Sequence, residues 1–104
     1  MPLHLSFATS ELREICESAK TAADLLGELA ARLLRARLSD IRAASDIREV
    51  LVGRPKLGAH GRVVFSLTDP HQLILVAAVK PIPRDSRKHI DWSAIDAFQV
   101  LEIR

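Results

Sequence analysis

Tyrosine is missing from these 104 residues, and cysteine occurs once, at Cys16. A single thiol cannot close an internal disulfide, so nothing in the sequence asks for an oxidising compartment. Long apolar runs are missing as well. The longest, Leu73–Val79, is far shorter than the ~20 residues a spanning helix needs. Met1–Ser10 alternates in polarity around His4 where a signal peptide would be continuously apolar. The expectation is a cytoplasmic protein without a membrane anchor. Gly53, Gly58 and Gly61 lack the strand–loop–helix setting of a phosphate-binding loop, and no serine stands in a recognisable triad. His4, His71 and His89 are widely separated, with no Cys or carboxylate at metal-ligand spacing. Neither a metal nor a cofactor is expected.

What is present is an ordinary globular composition, 48% hydrophobic and 27% charged, in a length that suits one domain with one core. The net charge is only +2, but it is unevenly spread. Residues 1–31 carry −3, from Arg13 and Lys20 against Glu11, Glu14, Glu17, Asp24 and Glu28. Residues 32–62 carry +5, with Arg32, Arg35, Arg37, Arg42, Arg48, Arg54, Lys56 and Arg62 against Asp40, Asp46 and Glu49. Lys80–Ile90 adds +3 from Lys80, Arg84, Arg87 and Lys88 less Asp85. Such asymmetry marks either a face for phosphates or an acidic partner, or simply solvated helix and loop surface.

Leu3, Leu5 and Phe7 alternate with His4 and Ser6, the period of a half-buried strand. Ser10 is placed to cap a helix from Glu11, whose early acids suit the helix dipole. Leu12, Ile15, Ala19, Ala22, Leu26, Leu29 and Leu33 then fall three and four apart, a helical stripe. Thr21–Asp24 resembles a capping box, so the stripe is expected to break near Lys20–Ala22 into a hairpin of two helices. The second should fade near Leu38–Asp40. Asp46–Val52 reads as a short turn ending at Gly53, with Pro55 as a stop. Gly58 and Gly61 bracket a turn into a strand over Arg62–Thr68, and Asp69 and Pro70 connect it to Gln72–Val79. Pro81 and Pro83 keep Lys80–His89 from regular pairing, and Phe98–Ile103 forms the last strand. The predicted order is strand, two helices, three strands: an α+β domain whose helical hairpin covers one face of an antiparallel sheet.

Several side chains have two readings. His60, between two glycines, is an exposed imidazole able to act as acid or base, or a turn residue with no role. Arg62 opens a strand and should face opposite to Val63, toward phosphate or toward plain solvent. Arg54 and Lys56 flank Pro55 on a constrained loop, as a defined cationic patch or as plain surface charge. Trp92 is a core anchor or lid, or a platform for a base. Cys16, on the helix stripe, is a packed residue.

Arg37–Ala44, Leu51–Pro55, Ile90–Ser93 and the closing Leu101-Glu-Ile, taken with the element order, resemble the RelE/ParE toxin superfamily, and within it the HigB-like plasmid maintenance killer proteins. The resemblance runs from Ser10–Cys16 to Val100–Ile103. It implies a β-α-α-β-β-β fold and the toxin of a type II toxin-antitoxin system, a ribosome-dependent mRNA endoribonuclease. The implied partners are a helix-turn-helix antitoxin, the ribosome with its mRNA, and operator DNA through the antitoxin. By the same resemblance Arg62, His60 and Lys56 are the catalytic candidates, and Arg54, Lys80, Arg84, Arg87 and Lys88 the nucleic-acid-binding ones. Relatives tend to carry Arg where Gln72 stands, and a Tyr and His near the C-terminus that this sequence lacks. Two alternatives therefore stay open: a ParE-like gyrase inhibitor, and a catalytically degenerate member that binds an antitoxin.

Overall fold

The computed structural model describes residues 2–52, 54–68 and 70–104; the expected stop at Gly53 and the hairpin residue Asp69 lie outside the described residues. The domain is α+β, with three helices and a five-stranded mixed sheet. The elements are β1 (His4–Phe7), α1 (Ser10–Glu17), α2 (Ala19–Leu26), α3 (Glu28–Ala43), β2 (Lys56–Leu57), β3 (Arg62–Ser66), β4 (Gln72–Ala77) and β5 (Ala97–Ile103). Single 3-10 turns lie at Ile47–Glu49, Ala59–Gly61 and Trp92–Ala94.

The helical layer differs from the expected hairpin of two. Thr9, not Ser10, caps α1, its hydroxyl accepting from the Leu12 N–H at 3.1 Å. Ser18 then serves twice. Its N–H closes α1 on the Glu14 carbonyl at 2.8 Å, and its hydroxyl caps α2 by accepting from Thr21 N–H at 3.2 Å. The break is thus at Ser18, upstream of Lys20–Ala22. A second break falls at Gly27, whose φ of 90° and ψ of 158° suit a residue without a Cβ. Gly27 resets the helical phase. Leu29, on the expected stripe, is 60% exposed, and Ala30, Ala31, Leu34, Leu38 and Ile41 turn inward instead. α3 runs past Leu38–Asp40 to Ala43 and stops where Ala44 turns extended.

The sheet order is β1-β5-β4-β3-β2. β2, β3, β4 and β5 pair antiparallel in chain order. β1 is the exception to the expected antiparallel sheet: it runs parallel to β5, with His4 beside Ala97 and Phe7 beside Val100. A parallel pair needs a long crossover, and the helical layer together with β2–β4 provides one.

Alternation assigns the faces. Val63, Phe65, Leu73, Leu75, Phe98 and Val100 point to the helices and are fully buried with Leu34, Ile41, Ile47 and Ile95. The opposite face carries His4, Ser6, Arg62, Val64, Ser66, Gln72, Ile74, Val76 and Gln99 by the same register. Arg37 is the one charged side chain in the buried set, 7% exposed, with Nη1 donating to Asp40 at 2.9 Å. No helix among the described residues is long and apolar enough to cross a membrane.

Candidate site on the outer sheet face

The uncovered face of the sheet is organised in transverse rows. Ser6, Gln99, Val76 and Arg62 form one row across β1, β5, β4 and β3; Glu102, Ile74, Val64 and Lys56 form another across β5, β4, β3 and β2. Lys56, expected in a loop, lies in β2 directly opposite Val64. Arg62 is two residues from Val64 on the same face, so Lys56 and Arg62 are diagonal neighbours about 7 Å apart. Both are exposed. Lys80 borders the same face from the end of β4, where Val76, Ala77, Ala78, Lys80 and Gln99 line a shallow groove of about 540 Å³. Three cations thus flank an apolar strip of Val64, Ile74 and Val76.

His60 sits at the end of this face in the turn before β3. Its backbone is left-handed, with φ 60° and ψ 24°. The turn is closed by Gly58 N–H donating to the Arg62 carbonyl at 2.7 Å, which fixes His60 and Arg62 within one hydrogen-bonded unit. Gly61 packs against Ala77, and Ile82 abuts it from the Pro-rich loop. The sequence-predicted residues Lys56, His60, Arg62 and Lys80 are therefore brought to one end of the sheet.

The remaining candidates lie apart from that group. Arg54 stands before β2 in a turn where its N–H meets the Leu51 carbonyl at 3.3 Å. Arg84, Arg87 and Lys88 occupy a separate turn built on Asp85, whose Oδ1 accepts from the N–H groups of Arg87 at 2.8 Å and His89 at 3.0 Å. Arg84 pairs in an isolated bridge with Ile90, and its Nη1 donates to the Lys88 carbonyl at 3.0 Å. Its guanidinium is thus spent partly on holding the turn, while Arg87 and Lys88 are exposed. Among the described residues, the only non-glycine positions with positive φ are Arg54 (50°), His60 (60°) and Lys88 (65°). All three belong to the basic candidates, and such backbone outliers gather where geometry serves a site.

Trp92 is a core anchor. It stacks on Phe98 with ring centroids 6.5 Å apart and 7° between planes, packed against the core. Cys16 is buried, and burial pushes its thiol up to about 11, so it is no nucleophile at neutral pH. Among the described residues no group of His, Cys, Asp and Glu is arranged to hold a metal ion. His71 instead places Nδ1 2.8 Å from the Arg104 carbonyl.

Sequence reasoning missed Ser6, Gln99 and Glu102 as members of this face. Their alternation in β1 and β5 carried the signal, but it becomes a surface only once β5 is known to lie between β1 and β4. Glu102 is a carboxylate of the face, two strands and one row from Arg62 and hence about 12 Å away. It pairs with Arg104 at 3.2 Å. The arrangement can hold phosphates by Arg and Lys, with His60 beside them and His4 three strands away on β1. No protein-family model matches this chain, and neither any curated protein nor any solved structure matches it.

Proposed function

We propose that this chain is a RelE/ParE-like, HigB-like toxin of a type II toxin-antitoxin system, acting as a ribosome-dependent mRNA endoribonuclease. The observation that carries the reading is the gathering of Lys56, Arg62 and Lys80 on one uncovered sheet face with His60 at its end. In the proposed reaction the 2′-OH of one nucleotide attacks the adjacent phosphorus. His60 takes the hydroxyl proton, and the bond to the leaving 5′-oxygen breaks to give a 2′,3′-cyclic phosphate and a 5′-hydroxyl, whose proton comes from solvent water. Arg62 and Lys56 offset the charge that builds on the equatorial oxygens, Arg by a two-pronged contact and Lys as a point charge. Lys80, with Arg54, Arg87 and Lys88 further out, steers the RNA backbone toward the face. The partner would be a helix-turn-helix antitoxin, with operator DNA contacted through it.

The distance of His60 from any second acid–base group favours a second reading: His4, the other imidazole of this face, lies on β1, three strands from Arg62. With Glu102 about 12 Å from Arg62 and no tyrosine in the sequence, no side chain beside His60 is evident as the acid for the leaving oxygen. A ParE-like inhibitor of gyrase, or an antitoxin-binding relative without catalysis, needs only the surface. Brief induction of the chain alone in bacteria, with mapping of new mRNA 5′ ends, separates these. Growth arrest with cuts inside translated codons, both lost in Arg62→Ala and His60→Ala, is the expected result. Arrest without new ends would move the target to a protein, and the absence of both would leave a binding protein.

A further inference from the structure

A second positively charged concavity lies on the helical side of the molecule, away from the sheet face. Cys16 of α1 and Arg35, Leu38, Ser39 and Arg42 of α3 line a groove of about 300 Å³, the lower end of the range for small-molecule sites. Arg35, Ser39 and Arg42 follow one another at i, i+4 and i+7, so all three share a helix face. Arg35 and Arg42 are exposed. Among the described residues neither makes an ion pair, whereas Arg13, Arg37, Arg48 and Arg104 all do. No carboxylate lines the groove. The acids next in sequence to its lining are paired, Glu17 with Arg13 at 3.7 Å and Asp40 with Arg37 at 2.9 Å.

We propose that this groove binds a condensed phosphate, with Arg35 and Arg42 gripping its two ends and the Ser39 hydroxyl donating between them. The two arginines are about 10 Å apart along the helix axis, and their long side chains line one groove. Two guanidiniums so placed match a ligand with two adjoining anionic centres better than a lone carboxylate, which would occupy only one of them. Guanidinium groups also suit the planar, two-pronged contact that phosphate oxygens accept. The two guanidiniums, with no carboxylate lining the groove, repel a cationic occupant. The source is either inorganic pyrophosphate or the diphosphate of a nucleotide.

The test is calorimetric titration of the full chain with inorganic pyrophosphate and, separately, ADP, at constant ionic strength near 0.15 M. Binding with Kd below about 1 mM is expected, weakened about tenfold or more in Arg35→Gln and in Arg42→Gln. Arg32→Gln, on the same helix but outside the groove, should leave it unchanged. All three positions are exposed, so thermal unfolding of the variants should match the parent. Tighter binding of ADP than of pyrophosphate identifies a nucleotide as the source, and the reverse identifies the free condensed phosphate. Absence of heat with both ligands overturns the proposal, as does equal loss in Arg32→Gln. It is overturned too if a single-stranded oligonucleotide binds through Arg35 and Arg42 while pyrophosphate does not.

Discussion

Gly61 approaches Ala77 so closely that a methyl group at position 61 would lie 2.7 Å from the Ala77 Cβ, with backbone N 3.4 Å away. Its φ of 77° independently disfavours any side chain. Gly61→Ala should therefore destabilise the domain by about 2 kcal/mol or more, read as a lowered urea midpoint at unchanged slope. Because Gly61 sits between His60 and Arg62, the same substitution should weaken RNA binding beyond what the stability loss explains. A variant as stable as the parent would contradict this account of the turn.

His60 holds a left-handed backbone that costs an L-residue roughly 1 kcal/mol. His60→Gly should raise unfolding free energy by a few tenths to about 1 kcal/mol, the gain reduced by the added freedom of the unfolded chain. If the imidazole serves RNA cleavage, toxicity falls as stability rises. Denaturant titration and a growth assay on the same variant read the two effects separately. Gain in both would remove His60 from the mechanism.

The cationic face makes a quantitative claim about salt. With three phosphates met by Lys56, Arg62 and Lys80, the affinity for single-stranded RNA should fall with salt at a log–log slope of about −2. Arg62→Ala should flatten that slope by about 0.7, and Lys56→Ala similarly. A slope unmoved by either substitution would place the RNA elsewhere on the molecule.

Two groups tie stability to pH in opposite directions. Asp46 accepts from the Arg48 guanidinium and from the Arg48 N–H at 2.9 Å, which lowers its carboxyl below the ordinary value of 3.8. Its contribution is present above pH 3.8 and is lost as pH falls through the lowered value. Asp46→Asn should therefore flatten the acid limb of the stability curve. Cys16 has the reverse sign. Its folded value is raised from 9.0 to about 11, so the contribution is full below pH 9 and lost as pH climbs toward 11. Cys16→Ala should remove that alkaline loss, whatever it costs in packing. Chemical denaturation at pH 3, 7 and 10.5 on all three proteins checks both signs.

Arg37 and Asp40 form an unequal pair: the Arg37 side chain is 8% exposed and the Asp40 side chain 48%. Asp40→Ala leaves a largely buried cation without its partner, so it should cost more than Arg37→Met, which replaces the charge by an apolar chain of similar length. The expected gap is about 1 kcal/mol, modest because water still reaches the Asp40 side. Equal effects from the two substitutions would mean that the pair is merely a surface contact.

The strands were largely legible because their alternation is a local property: Val63 and Phe65 inward with Arg62 outward follows from period two alone. The helical layer was harder. Seven apolar residues at helical spacing cannot reveal that Gly27 interrupts the phase, since Gly is also tolerated inside helices. Leu29 was thus expected inside and stands outside, while the buried Arg37 carried no sequence sign at all. β2 is two residues long, too short for any periodicity to mark. Of the candidate site, the chemistry of Lys56, His60, Arg62 and Lys80 could be named from residue type and resemblance. Their gathering at one end of the sheet could not, because it depends on the pairing of β2 with β3 and of β3 with β4.

The parallel pairing of His4–Phe7 with Ala97–Val100 makes the earliest strand wait for the latest. During synthesis Leu3, Leu5 and Phe7 have no sheet to join until β5 emerges, and α1 has no completed surface beneath it. Assembly of this domain is then governed by a contact between distant parts of the chain, which slows folding relative to one built from neighbouring hairpins. Under the proposed RNA-binding role, such a delay would keep the growing polypeptide inert until β5 has emerged.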